Sequence, residues 1–367
     1  MAKIDAFLRI MQENDASDLH IGAGYEPMLR IHGVLEKSSH RVLSTDEVTM
    51  LVYELLSDAQ IDALEKNGEL DFAYTLPNVA RFRINAFKKH PGLAAAFRII
   101  PHVMPTLESL GIPDSVRRML HSKSGLILVT GPTGSGKSTT LAAMVDYLNA
   151  KMNYHMITLE DPLEFIHPNK NSLVNQRQIG EHSGSFAGAL RAALREDPNV
   201  ILVGEMRDLE TIALALTAAE LGLLVLATLH TKSAAQTISR VADAFPSDQQ
   251  PAIRLTLSEV LSGICSQQLL KRADGSGRVA ALEVMVGTHA IRNLIREGKS
   301  HLVNNVIMTA KKEGMQLLDQ HLKDLVVQNI VTAEEAARFA VDEQAILSLA
   351  PTRPAAARTP VMAGEPK

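Results

Sequence analysis

Gly131-Pro132-Thr133-Gly134-Ser135-Gly136-Lys137-Ser138, with the apolar run Leu126–Val129 before it and a helical pattern after it, decides how this chain folds. The spacing is G-x-x-x-x-G-K-[ST], a loop whose glycines let successive backbone N–H groups turn inward onto phosphate. Lys137 offers a positive charge to the β- and γ-phosphates, and the Ser138 hydroxyl is placed for Mg²⁺. The helix that starts here adds the positive end of its dipole. Strand before and helix after are the context such a loop requires. The stretch therefore predicts an α/β fold that binds a nucleotide through Thr133, Gly134, Ser135, Gly136, Lys137, Ser138 and Thr139.

Downstream, further apolar runs at Met156–Leu159, Val200–Val203 and Leu223–Ala227 alternate with helical patterns. Continuous apolar strands separated by helices predict a parallel sheet covered on both faces. Ligands of such sheets bind at the carboxyl ends of the strands, so the residues just past those ends matter most. Glu160 ends the second run. Glu205 follows Val200-Ile201-Leu202-Val203-Gly204, a Walker-B-like pattern. Hydrolysis needs an acid to hold the Mg²⁺ environment and a group to orient water, and these two carboxylates are the candidates. His230 closes the run Ala227-Thr228-Leu229. It could sense a γ-phosphate, pair with a strand-end acid, or merely satisfy local backbone.

Past Pro246 the pattern is mainly helical, with one strand-like piece at Arg278–Val286. Val260–Cys265 reads as an apolar helical run, in which Cys265 is buried and inert. Ahead of the loop lies a small α+β region. Ile4, Phe7, Leu8 and Met11 have helical spacing, and short strands are expected near Asp18–Ile21 and Met28–Ile31. Ser44-Thr45-Asp46-Glu47 has the form of a capping box, opening a helix that continues to about Lys66. Asp71–Thr75, Arg81–Phe87 and Leu93–Ile100 read as a sheet. Pro101, Pro105, Gly111 and Pro113 make a linker composition. The expected division is 1–100, a linker 101–113, a nucleotide-binding region 114–345 with C-terminal helices, and a tail 346–367 whose Pro/Ala-rich part, Pro351–Lys367, is expected to be disordered.

Arg81 and Arg83 are two apart, so a strand places both on one face, and Arg98 occupies a similar piece. They could stabilise charge on a γ-phosphate across a gap between the two regions. On spacing alone, surface ion pairs are the plainer reading.

Composition narrows the function classes. A chain of 367 residues suggests two or three domains, and 46% hydrophobic with 21% charged residues excludes a chain disordered throughout. One cysteine excludes an internal disulfide and a four-cysteine zinc module. A net charge of -4 gives no broad basic surface for nucleic acid. Ile212–Leu229 is nearly all apolar, yet Glu220 sits in its middle and the chain has no Trp. A packed helix running into a buried strand explains it better than a membrane span. The N-terminus meets charged residues too early for a secretory signal, so a soluble cytoplasmic protein is expected.

Taken together, Gly131–Thr139, Thr158-Leu159-Glu160-Asp161-Pro162, Leu202–Asp208 and Ala227–Thr231 resemble the Walker A, Asp-box, Walker B and His-box series of the secretion and type IV pilus ATPases. Ala290-Ile291-Arg292-Asn293-Leu294-Ile295-Arg296-Glu297 is similar to the signature helix of the pilus-retraction branch. The resemblance covers about Ile4 to Ile330. The longer N-terminal extension and tetracysteine element of the pilus-extension and type II secretion branches do not match this layout. The resemblance implies a RecA-like P-loop core, a PAS-like N-terminal domain and a homohexameric ring with ATP between the two. It implies Glu160 as general base, Glu205 at the Mg²⁺, His230 near the γ-phosphate, and Arg81, Arg83 and Arg98 as phosphate clamps. It also implies retraction of pili at the inner face of the inner membrane, with a platform protein and a sister retraction ATPase as partners and no nucleic acid.

Three other readings compete. A RecA-like nucleic-acid motor suits the same sheet, but the charge and the aromatic content of 4% oppose it. A non-hydrolytic scaffold is opposed by the two strand-end acids. A GTPase would need an Asn-Lys-x-Asp element, and Asn169-Lys170-Asn171-Ser172 lacks the Asp.

Overall fold

The computed structural model describes residues 2–349, apart from 15, 32, 78 and 101–103. Its first sheet comprises β1 (Ala16–Gly22), β2 (Met28–Ile31), β3 (Val34–Lys37), β4 (Glu69–Leu76), β5 (Ala80–Lys89) and β6 (Gly92–Ile100). The order is β3-β2-β1-β6-β5-β4, antiparallel throughout. In β5 the side chains alternate, so Phe82 and Ile84 are fully buried while Arg81 and Arg83 point to the other face. The buried face, with Leu19, Ile21 and Phe97, joins one core with Leu8, Val48 and Leu64 of the covering helices. The capping box at Ser44 forms, but its helix ends at Tyr53 and a second helix, Asp58–Asn67, follows. Ser57, whose amide donates to Gln60 Oε1 at 3.0 Å, restarts the helix, so the single helix expected to Lys66 is two.

The second sheet contains β7 (Gly125–Thr130), β8 (His155–Glu160), β9 (Leu173–Gln178), β10 (Val200–Val203), β11 (Leu224–Leu229), β12 (Leu261–Lys271) and β13 (Arg278–Val286). Its order is β13-β12-β7-β11-β10-β8-β9, parallel except for the β12–β13 pair. Every residue of β7, β10 and β11 is buried, because helices cover both faces. The two faces carry separate cores, one holding Leu128, Ile201 and Val225, the other Val129, Leu202 and Leu226. The helix Lys137–Lys151 packs into the second through Met144 and Leu148.

The structure corrects two readings of the sequence. Leu261–Cys265 belongs to β12 and not to a helix, and the region after Pro246 contains β12 as well as β13. The helix Gln250–Val260 passes straight into the strand, and an apolar run buried on both sides carries no period that separates the two. Cys265 is buried all the same, and burial pushes its thiol up to about 12. The apolar stretch from Ile212 is the helix Leu209–Glu220 followed by β11. Among the described residues, no helix is long and apolar enough to cross a membrane.

Within the proline-bearing 101–113 segment, Leu107 and Ile112 are buried in the core beneath the helix Lys137–Lys151. Ile100, Ala142 and Phe165 form a small apolar cluster that joins the two sheets. Helices Leu318–Val327, Ala333–Ala337 and Glu343–Leu347 cover β12 and β13, burying Leu270 and Ala281. The last of these helices enters the 346–367 segment, and residues past 349 lie outside the described ones.

Gly263 offers a test of the β12 packing. A Cβ there would stand 2.6 Å from the Met285 carbonyl oxygen and collide with the Met119 side chain. Gly263→Ala is expected to destabilise the fold by about 1–3 kcal/mol in urea unfolding, the usual cost of overpacking. Gly184→Ala, where a Cβ meets nothing within 4 Å, is expected to stay within about 0.5 kcal/mol of wild type.

Candidate functional site

The parallel register fixes which residues meet. Thr130 of β7 pairs with Leu229 of β11, and Val203 of β10 pairs with both Ala227 and Leu159. Gly131, Glu160, Glu205 and His230 therefore leave the sheet at one edge, the carboxyl ends of their strands.

The loop after β7 turns through Gly131, Gly134 and Gly136 at φ of 145°, 79° and 88°. These lie in the region that side chains on Cβ disfavour. Gly136 caps the helix Lys137–Lys151, so the first free N–H groups of that helix open toward the loop. Thr133, Gly134 and Ser138 lie on the exposed rim, Thr139 is half-buried and Ser135 is buried. The Ser135 hydroxyl has no hydrogen-bond partner among the described residues. The Lys137 ammonium donates to the carbonyls of Gly131 at 2.9 Å and Pro132 at 3.1 Å. Burial lowers its pKa, against the pull of Glu205 and Glu164.

The two carboxylates differ in environment. Glu160 accepts a hydrogen bond from Thr158 Oγ1 at 2.6 Å and a longer one from Gln176 Nε2 at 3.3 Å. Loss of water around it pushes its pKa up to about 7. The two donors and Arg81 pull it down, and the Glu164 charge adds to the rise. Glu205 instead contacts Arg207 Nε at 2.7 Å and His230 Nε2 at 3.0 Å. Burial pushes it up too, but the hydrogen bond and charge of Arg207, with His230 and Lys137 behind it, outweigh that and hold the carboxyl low. One acid is thus poised to exchange a proton near neutrality, and the other stays charged.

From the first sheet, Arg83 Nη1 reaches Glu164 Oε1 at 3.3 Å, and Arg81 Nε donates to the Leu163 carbonyl at 3.1 Å. Both therefore grip the segment that follows Glu160. Arg98 sits beside Arg83 in the strand register, and its partner within this chain is Asp18, at 2.8 Å. The structure does not bring Arg98 into the group formed by the other two. Glu164 and Gln176 join the site from outside the motifs, and Thr158 and Arg207 join it from within the Asp-box and Walker B stretches, where neither is singled out as a site residue. Thr158 shares the strand face of Glu160 at spacing two, and Arg207 stands two residues past Glu205. Those are the signals the sequence offers.

The donor set also bears on Mg²⁺. Among the described residues, no three or more His, Cys, Asp or Glu side chains are grouped to hold a metal. Ser138 and Glu205 at the loop suit an ion that brings phosphate and water ligands with it, which is how Mg²⁺ is usually held.

Residues 2–338 match the family described as type II/IV secretion system protein. The chain belongs to that family. It is 50% identical over 333 residues to the type IV pilus retraction ATPase PilT of Pseudomonas aeruginosa, spanning 91% of this chain and 96% of the relative. It is 49% identical over 320 residues to a twitching motility protein of Neisseria gonorrhoeae, spanning 87% of this chain and 86% of the relative. A crystal structure of the pilus retraction motor PilT with bound ADP superposes with a TM-score of 0.86 at 46% identity, covering 94% of this chain and 99% of that one. In this family setting, the α/β fold with its phosphate loop is an ATPase framework.

Lys137→Ala tests the loop directly. It is expected to weaken binding of a fluorescent ATP analogue by roughly 10- to 100-fold, the scale of losing a charge-assisted hydrogen bond. The thermal unfolding midpoint should shift by no more than a few degrees.

Proposed function

We infer that this chain is an ATPase that powers retraction of type IV pili, hydrolysing Mg-ATP at the edge formed by β7, β8, β10 and β11. The observation that carries the chemistry is the contrast between Glu160, raised to about 7, and Glu205, held low, at the strand-end edge that also carries the phosphate loop. A pair of acids split in this way divides the labour of base and charge stabiliser.

In this reading the loop amides and Lys137 bind the phosphates. Glu160 takes the proton of the attacking water, its carboxylate oriented by Thr158 and Gln176. His230 lies on the γ-phosphate side, and Ser138 with Glu205 would hold the Mg²⁺, which supplies charge neutralisation on the phosphates when bound. Arg81 and Arg83 bring positive charge toward the group in which negative charge develops, and Arg98 lies one strand further out. A homohexameric ring, with the nucleotide between the small sheet and the large one, would turn each hydrolysis into a change of angle between them. The motor would act at the cytoplasmic face of the inner membrane on a platform protein, beside a sister retraction ATPase. A nucleic-acid motor gains no support from the family or from the net charge of -4.

Glu160→Gln is expected to keep ATP binding and to lower kcat by about 10²- to 10⁴-fold, the usual contribution of a general base. A base raised to about 7 is protonated below that pH. Wild-type kcat should therefore fall as pH drops from 8 to 6, and Thr158→Val, which removes a hydrogen bond that stabilises the carboxylate, should move that acid limb to higher pH. In cells, replacing the wild-type allele by Lys137→Ala or Glu205→Ala should abolish twitching. Normal retraction with both variants would show the motor reading to be wrong.

A further inference from the structure

The phosphate loop rests on a strand that no loop motif includes. Ser266 of β12 is the register partner of Thr130, and their buried hydroxyls are hydrogen-bonded at 2.7 Å. The next residue, Gln267, is buried to 2% exposure beneath the loop. Its side-chain amide makes two bonds: Nε2 donates to the Ser135 carbonyl, and Oε1 accepts from Thr140 Oγ1 at 2.9 Å. The carbonyl of Ser135 can only accept, so this orientation of the amide is the one that satisfies both ends. Gln267 thereby links the turn of the loop to the first turn of the helix Lys137–Lys151.

The same residue explains two of the loop glycines. A Cβ on Gly136 would stand 2.9 Å from Gln267 Nε2, and one on Gly131 would collide with the Gln267 carbonyl oxygen. The loop is pressed against Gln267 on both its arms. From the other side, Leu282 of β13 is the register partner of Gln267. Its amide donates to His321 Nδ1 and its carbonyl accepts from Gln316 Nε2, each at 2.9 Å. Gln267 is therefore carried by a strand pair clamped from outside the sheet. A short amide side chain on a fixed backbone can hold the Ser135 carbonyl away from the nucleotide and leave the neighbouring N–H groups directed at phosphate.

We propose that Gln267 is a positioning residue for nucleotide binding, fixing the phosphate loop through its bonds to Ser135 and Thr140. The proposal rests on the reading of the loop as the ATP site. Gln267→Met keeps length and volume and removes both bonds. It should raise the Kd for a fluorescent ADP analogue about tenfold or more, and raise KM for ATP more than it lowers kcat. In hydrogen exchange without nucleotide, the amides of residues 133–137 should exchange faster, while those of β12 and β13 stay protected. Thr140→Val removes one bond only and should shift Kd in the same direction by a smaller factor. It is the deciding variant should Gln267→Met fail to fold. Unchanged Kd in Gln267→Met, or in Thr140→Val where that variant decides, overturns the proposal. So does a weakened Kd accompanied by loss of β12 protection, which would mark a merely structural residue. If the wild-type protein binds no nucleotide, the ATP-site reading fails instead, and the exchange of residues 133–137 still decides whether Gln267 holds the loop.

Discussion

Strands β7, β8, β10 and β11 have almost no choice of position. Their inner residues are buried by helices on both faces and, Thr158 and Thr228 apart, apolar, so each backbone N–H and C=O must find its partner in the neighbouring strand. Sliding one strand against the next would leave those groups without partner or water, at a cost of roughly 1–3 kcal/mol for each. The register therefore holds, and with it the alignment of four strand ends. The residues just beyond those ends can vary in chemistry, but they cannot move away from one another. The phosphate loop, two acids and a histidine meet because the sheet beneath them cannot shift.

That alignment gathers charged groups in a place poor in water, and their pKa directions record the strain. Lys137 is pushed toward neutrality by burial, and Glu160 is pushed the same way to about 7. Glu205 escapes because Arg207 and His230 touch it. A bound polyphosphate would reverse the balance at the lysine, since its negative charge favours the ammonium form. The same charge would raise the affinity of Glu160 for a proton, which is the property required of a base. The site thus has polar groups whose most favourable state is reached together with the ligand.

How much of this can be read from the residues differs by element. The phosphate loop carries its function in local spacing, and the β7, β8, β10 and β11 strands announce themselves as apolar runs closed by Gly, an acid or, for β11, His230. β12 does not. Its apolar residues continue from a helix without a break, and pairing with β7, from more than a hundred residues earlier, and with β13 after it makes it a strand. The partners it supplies to the loop, Ser266 and Gln267, are hidden for that reason. β9 escapes notice on other grounds: Leu173–Gln178 is half-exposed and polar, and lies at the sheet edge. Glu164 has no local signature, because its meaning comes from Arg83, some eighty residues away. The helix expected from Ser44 to Lys66 splits because Ser57 is a second cap, a local signal masked by the apolar period around it.

The contacts of Arg81 and Arg83 connect the site to the whole molecule. Both arginines belong to the small sheet, and both hold the segment after Glu160 rather than Glu160 itself. Among the described residues, the buried apolar cluster at this junction is a small one, Ile100, Ala142 and Phe165 with Met104 packed against it. A junction so modest and so polar permits relative motion more readily than a broad apolar interface would. A change in the angle between the sheets would pull on the segment that Leu163 and Glu164 form, and so on the surroundings of Glu160, whose pKa is set first by burial, then by Thr158 and Gln176, with Glu164 and Arg81 as lesser causes. The segment after Glu160 thus ties the surroundings of that carboxylate to the small sheet through Arg81 and Arg83.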